Sequence, residues 1–192
     1  MASKQLAFIQ KIETQYGGDL LTTRKARSAG RPLDTKNSMH LVLRSTKARG
    51  PWSFLKEPNR KAIREILLRF SKKYGIRIQS IANVGNHLHL QIRLSNRRNY
   101  TPFIKAVTAA IAMAITGVNR WTQNSGEKLK FWDRRPFTRV IFGFTGILSL
   151  RNYIRLNQLE GIGIPRHLGR KMLSFKARLA SQSRRFAFPE TS

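Results

Sequence analysis

Two runs that read as strands, IRIQSIANV (76–84) and HLHLQIRL (87–94), are separated only by Gly85 and Asn86. A two-residue link of that kind is compatible with a hairpin, which would pair the runs antiparallel. A lone hairpin is unstable in water, and the chain has to supply more strands and a covering layer. The flanking sequence does this. MHLVLRS (39–45) and TRVIF (138–142) read as two further strands. Ahead of the hairpin, Pro58 suits a helix start, Ile63, Ile66, Leu67, Phe70 and Tyr74 keep helical spacing, and Gly75 ends the segment. After it, Thr101 and Pro102 offer a cap and a first-turn residue, and Ile104, Val107, Ile111 and Ile115 form an apolar stripe. Beyond the fourth strand, Thr145 can cap a last helix carrying Ile147, Leu150 and Ile154, with Gly161 and Gly163 as its stop. The order strand, helix, strand, strand, helix, strand, helix predicts an α+β fold. Its first six elements match a ferredoxin-like antiparallel sheet with helices on one face, and a C-terminal helix is added to it.

The 192 residues suit one domain with extensions at its ends. The expected division is a basic N-terminal arm (1–37), a folded domain (38–165) and a basic C-terminal tail (166–192). The charge is extreme, 37 Lys and Arg against 9 Asp and Glu, a formal +28. Such a surface attracts polyanions, because each phosphate it neutralises releases condensed counterions. Nucleic acid is the leading partner on that ground, with an anionic membrane and a ribosomal role behind it. At 41% hydrophobic residues the chain is still able to bury a core.

Cysteine is absent, which excludes disulfides, thiolate metal sites and a cysteine nucleophile. The start, MASKQLAFIQK, lacks the apolar run of a signal peptide. No apolar stretch approaches the roughly 20 residues that span a bilayer. A cytoplasmic, nucleoid-associated protein with no membrane partner is expected.

Two of the four histidines, His87 and His89, lie two residues apart on a predicted strand. Side chains alternate along a strand, so both point to one face while Leu88 and Leu90 point to the other. Two imidazoles about 7 Å apart along a strand can share one divalent metal. An isolated pair of this kind more often reads as two polar residues on a solvated face, and the spacing alone is a weak signal. Tyr153 sits mid-way along the last predicted helix, with Asn157 at i+4 on the same face. Tyr153 reads either as a core-edge residue with its hydroxyl in water or as a nucleophile, with Asn157 as an oxygen-donating metal ligand. A phenol titrating near about 10 is a poor nucleophile at neutral pH, and needs a neighbouring cation or base to favour the phenolate.

These residues carry a family resemblance. GNHLHLQIRL (85–94) resembles the HUH motif, in which two histidines flank a bulky apolar residue on a central strand. FWDRRPFTRVI (131–141) followed by LRNYIRLNQLEGIG (150–163) resembles the end of the single-tyrosine transposase domain. The REP-associated tyrosine transposases are most similar, and often show Tyr-Ile-x-Leu-Asn-Pro at this point. The likeness runs from about Leu33 to Pro165. It departs at Gln158, where the family usually has proline, and at Gly85, where a proline is common. The resemblance implies His87 and His89 as metal ligands, Asn157 as a third ligand, magnesium or manganese as the cofactor, and Tyr153 as the nucleophile on the C-terminal helix. It also implies an endonuclease and strand transferase that attacks single-stranded, hairpin-bearing DNA, forming a 5′-phosphotyrosine and a free 3′-OH. Relatives work as monomers or as homodimers, and that choice stays open.

The basic segments are read as phosphate contacts: Arg24, Lys25, Arg27 and Arg31 in the arm, Arg134 and Arg135 ahead of the last strand, and Arg166, Arg170 and Lys171 in the tail. Trp52, Trp121 and Trp132 could stack on unpaired bases, with burial favoured for Trp132. His40 reads as structural or as a DNA contact rather than a ligand, and His167 as a tail residue near phosphates. Two other functions fit the composition: a non-catalytic nucleic-acid-binding protein on a transposase-like fold, and a ribosome-associated basic protein.

Overall fold

A computed structural model describes residues 14–18, 31–118 and 130–185, with side chains as far as Phe175. Its sheet has five antiparallel strands: β1 (Gln15–Tyr16), β2 (Ser38–Arg44), β3 (Ile76–Asn83), β4 (His87–Leu94) and β5 (Phe137–Ile141). They lie in the order β1-β5-β2-β4-β3. Without β1 this is the ferredoxin-like order expected from the sequence. β1 is a finding of the structure, because Gln15 and Tyr16 in the predicted arm pair with Arg139 and Thr138. Two residues show no alternation, so no pattern in the sequence announces such a strand.

Four helices accompany the sheet: α1 (Glu57–Tyr74), α2 (Tyr100–Thr116), α3 (Gly143–Gly161) and α4 (Arg166–Arg185). Pro58 occupies the first turn of α1, where a missing N–H is harmless. Gly75 closes the helix at φ 62°, a left-handed conformation that a side chain resists. Two starts differ from expectation. Thr101 lies inside α2, which a short 3-10 turn at Arg97–Asn99 leads into. Thr145 lies inside α3, which begins at Gly143 without a side-chain cap. The stripe of α2 holds at Val107, Ile111 and Ile115 and differs at its first position. Phe103 is buried with Val107, Ile111 and Ile115, and Ile104 is only half-buried.

The core lies on one face of the sheet. Met39, Leu41 and Leu43 of β2 and Leu88, Leu90 and Ile92 of β4 pack there against Ile63 and Leu67 of α1 and Phe103, Val107 and Ile111 of α2. The other face carries α3, whose Leu150 and Ile154 close over Ala82 and Ile141. Because β4 alternates, its leucines enter the first core and His87 and His89 face α3. The last turn of α3 sits on the β3–β4 hairpin so closely that a Cβ at Gly161 would lie 2.2 Å from the Asn83 carbonyl oxygen. α4 then folds back on α3, where Gly169 admits Leu156 and Leu159. No helix among the described residues is long and apolar enough to cross a membrane.

Candidate active site

The antiparallel register places Arg44 opposite His87, Val42 opposite His89 and His40 opposite Gln91. Cross-strand partners share a face, so β2 brings His40 to the histidines of β4. The rings of His40 and His89 stack with centroids 5.3 Å apart. Nε2 of His40 lies 3.1 Å from Nδ1 of His89. His87 stands edge-on to His89 with centroids 4.7 Å apart. From above, α3 lowers Tyr153 onto the pair, 5.3 Å from His89 and 5.8 Å from His40. The expected association of His87, His89 and Tyr153 is therefore one cluster in the fold.

His40 is the member that the sequence reading set aside. A signal was available. If β2 runs beside β4, strand alternation puts His40, Val42 and Arg44 on the His87–His89 face. The pairing of those two strands, which are far apart in the chain, had to be assumed to use it.

Burial sets the electrostatics. It pushes the His89 imidazolium down to about 3, with the neighbouring His40 and His87 adding to the effect. Burial, with help from Arg139, pushes His40 down to about 4. His87 is lowered for the same first reason and then by Arg44. All three rings are neutral at pH 7 and keep lone pairs for bonding. Nδ1 of His87 lies 2.6 Å from the Asn86 side-chain oxygen, which can only accept. The proton of His87 is therefore on Nδ1, and its Nε2 is bare. Nε2 of His89 is buried without a hydrogen-bond partner. An orphaned nitrogen beside a second bare one is what a pair of imidazole ligands offers a divalent ion. No group of three or more His, Cys, Asp or Glu side chains among the described residues is placed to hold a metal.

Asn157 follows Tyr153 by one turn and is buried, and its amide nitrogen donates to the Tyr153 carbonyl at 2.7 Å. Of its side-chain atoms, the carboxamide oxygen is the one with ligand character. Arg166, at the start of α4, pairs with Glu160 at 2.7 Å and lies 6.0 Å from the Tyr153 ring centre.

The cluster forms the floor of an open cleft of about 1120 Å³, whose rim holds Arg44, Lys47, Lys130, Arg134 and Arg135. Asp133 accepts from the Thr46 backbone and hydroxyl and faces Arg44 at 3.6 Å, which ties the β5 approach to the end of β2. Trp132 is partly buried as expected, and its Nε1 donates to the Thr108 carbonyl. Trp52 packs at the margin of the core.

The other predicted contacts are scattered. Arg170 and Lys171 are exposed on α4, as is His167. Arg24, Lys25, Arg27 and Trp121 lie outside the described residues. Arg31, expected at phosphates, is engaged within the fold. Its guanidinium donates to the Pro136 carbonyl and the Thr138 hydroxyl, both at 2.8 Å, and lies over the rings of Tyr16 and Tyr100. That side chain fastens the N-terminal segment to β5.

Residues 35–157 match the family model described as "Transposase IS200 like". No curated protein sequence matches the chain. Among solved structures, it is similar to a REP-associated tyrosine transposase bound to a REP hairpin. That likeness has a TM-score of 0.54 and 12% identity, over 70% of this chain and 74% of the other. A crystal structure described as a transposase from Deinococcus radiodurans aligns with a TM-score of 0.41 and 14% identity, over 70% of this chain and 97% of the other. At these identities the likeness to the first structure is one of fold.

Proposed function

The chain belongs to the IS200-like transposase family, and on that premise we propose that it is a metal-dependent endonuclease and strand transferase of single-stranded, hairpin-bearing DNA. The observation that carries the reading is the convergence of Tyr153 on His89 and His87 at the foot of a basic cleft.

In this reading the bare Nε2 atoms of His87 and His89 would hold a magnesium or manganese ion, with the Asn157 carboxamide oxygen as the third protein ligand. When bound, the ion polarises the scissile phosphate and stabilises the charge that develops there. The remaining steps belong to the side chains. Arg44, Lys47, Arg134 and Arg135 hold the flanking phosphates, and Arg166, Arg170 and Lys171 extend the track onto α4. Tyr153 directs its hydroxyl oxygen at the phosphorus. A bond forms from that oxygen to phosphorus, and the bond from phosphorus to the 3′ oxygen breaks. The phenolic proton is balanced by the one the departing 3′ oxygen takes up. The products are a 5′-phosphotyrosine and a free 3′-OH, and attack by a 3′-OH on the phosphotyrosine reverses the step and joins strands. A cytoplasmic, nucleoid-associated site of action follows from the substrate. The 38–165 domain would contain the reaction, with 1–37 and 166–192 adding DNA contacts.

The test is covalent capture. Incubation with hairpin-bearing single-stranded DNA and Mn²⁺ should give a protein–DNA adduct that resists denaturation and is absent with chelator or in Tyr153→Phe. An adduct retained by Tyr153→Phe overturns the nucleophile. Hairpin binding that ignores chelator, with no adduct on any hairpin, points instead to a non-catalytic DNA-binding protein on this fold.

A further inference from the structure

The two imidazoles of β4 differ in how their protons are fixed. His87 is settled by an oxygen that can only accept. The partner of His89 is another imidazole, His40, and a pair of neutral rings can share one proton in either sense. If Nε2 of His40 donates, Nδ1 of His89 is the acceptor and the His89 proton moves to Nε2. That places an N–H donor where the fold supplies no acceptor, because this nitrogen is the buried unpartnered one. Orphaned buried donors are rarer and harder to tolerate than under-used acceptors. If Nδ1 of His89 donates, Nε2 is left with its lone pair, and an under-used acceptor, open to an incoming cation, replaces the orphaned donor. His40 then carries its own proton on Nδ1, which is not among the buried unpartnered atoms of the described residues.

We propose that His40 is a positioning residue: it accepts the Nδ1 proton of His89 and so fixes His89 in the tautomer whose Nε2 matches that of His87. The inference rests on the metal-site reading above and adds to it a residue on a different strand. The stack of His40 on His89 fixes ring orientation as well. β2 lies between β4 and β5, so His40 is held on both sides by sheet pairing, opposite Gln91 and Arg139. Such outer partners both orient a histidine ligand and choose its tautomer. His40→Gln should preserve the arrangement, because a side-chain oxygen can take the same proton. His40→Leu removes the acceptor and keeps an apolar side chain of similar bulk.

Only four histidines are present, so long-range ¹H–¹⁵N NMR on the full metal-free chain can assign each tautomer. The expected result is a proton on Nδ1 of His89 in the wild type and in His40→Gln, and a mixture of Nδ1- and Nε2-protonated forms in His40→Leu. Mn²⁺ titration should then show His40→Leu binding about 10–100-fold more weakly. His40→Gln should stay close to wild type, and hairpin affinity without metal should be the same in all three. A wild-type His89 protonated on Nε2 overturns the proposal, as does a folded His40→Leu that binds Mn²⁺ like wild type. Mn²⁺ binding that His87→Ala leaves intact overturns the metal-site reading instead, and the wild-type tautomer still decides the role of His40.

Discussion

The ring of Tyr153 stands edge-on to that of His89, with planes at 89° and centroids 5.3 Å apart. One residue comes from a helix and the other from a central strand, so the relationship depends on how α3 is seated. Its apolar anchors on the sheet are few, chiefly Leu150 and Ile154 over Ala82 and Ile141. The close approach of Gly161 to the Asn83 carbonyl fixes the far end.

Gly161→Ala is therefore expected to impair the site from a distance. Alanine favours helix by up to about 1 kcal/mol over glycine, but its Cβ would lie 2.2 Å from a backbone oxygen. The carbonyl cannot rotate away as a side chain would, so the end of α3 has to lift. A net loss of about 1–3 kcal/mol is expected in urea unfolding, together with lower adduct yield at unchanged hairpin affinity. Wild-type stability and yield would show that the contact does not seat the helix.

Arg31→Ala should behave as a structural lesion. It removes two hydrogen bonds from a charged donor and the guanidinium contacts with Tyr16 and Tyr100. A loss of about 2–3 kcal/mol is expected, and Arg31→Lys should not restore it, because an ammonium does not reproduce the planar fork. The salt dependence of DNA binding should keep its slope. A shallower slope with unchanged stability would return Arg31 to the DNA-contacting set.

Acid should destabilise the metal-free protein through the histidine cluster. His40 and His89 are held near about 4 and about 3 in the folded chain, by burial first, against about 6.5 when unfolded. Between those values the unfolded chain binds more protons, so stability rises with pH. The contribution is complete above about 6.5 and is lost as pH falls toward 4 and 3. Thermal unfolding should show a lower Tm at pH 5 than at pH 7.5, and a His40→Gln, His89→Gln double variant should show a smaller drop. An equal drop in the variant would assign the acid sensitivity elsewhere.

The salt dependence of hairpin binding tests the outer basic residues. Arg170 and Lys171 are exposed on α4, so replacing both with alanine leaves the packing of Gly169 on Leu156 and Leu159 in place. If each contacts a phosphate, the slope of log K against log salt should become shallower by roughly 1.4–1.8. Stability should change by less than about 0.5 kcal/mol. An unchanged slope would remove this face of α4 from the DNA track.

Much of this architecture is written in local periodicity. The hairpin across Gly85 and Asn86, the side-chain alternation of β4 and the two helices that cover the core follow from spacings within 20 residues. The elements that escaped have specific causes. β1 is too short to carry a period. The starts of α2 and α3 lack a side-chain cap, so Thr101 and Thr145 misled. At the first position of the α2 stripe the larger Phe103 is fully buried, and Ile104 packs at the core margin.

Sequence by itself determined that His87 and His89 share a face, because strand alternation is a local property. It also determined that Tyr153 and Asn157 lie one helical turn apart, and that the surface is overwhelmingly cationic. Tertiary structure alone decided the register in which β2 pairs with β4 and stacks His40 on His89. It also decided that α3 brings Tyr153 over them, and that Arg31 is spent on holding the N-terminal segment. These are contacts between residues tens to more than a hundred positions apart. Such pairings are chosen by the whole core as it packs, and leave no local trace in the chain.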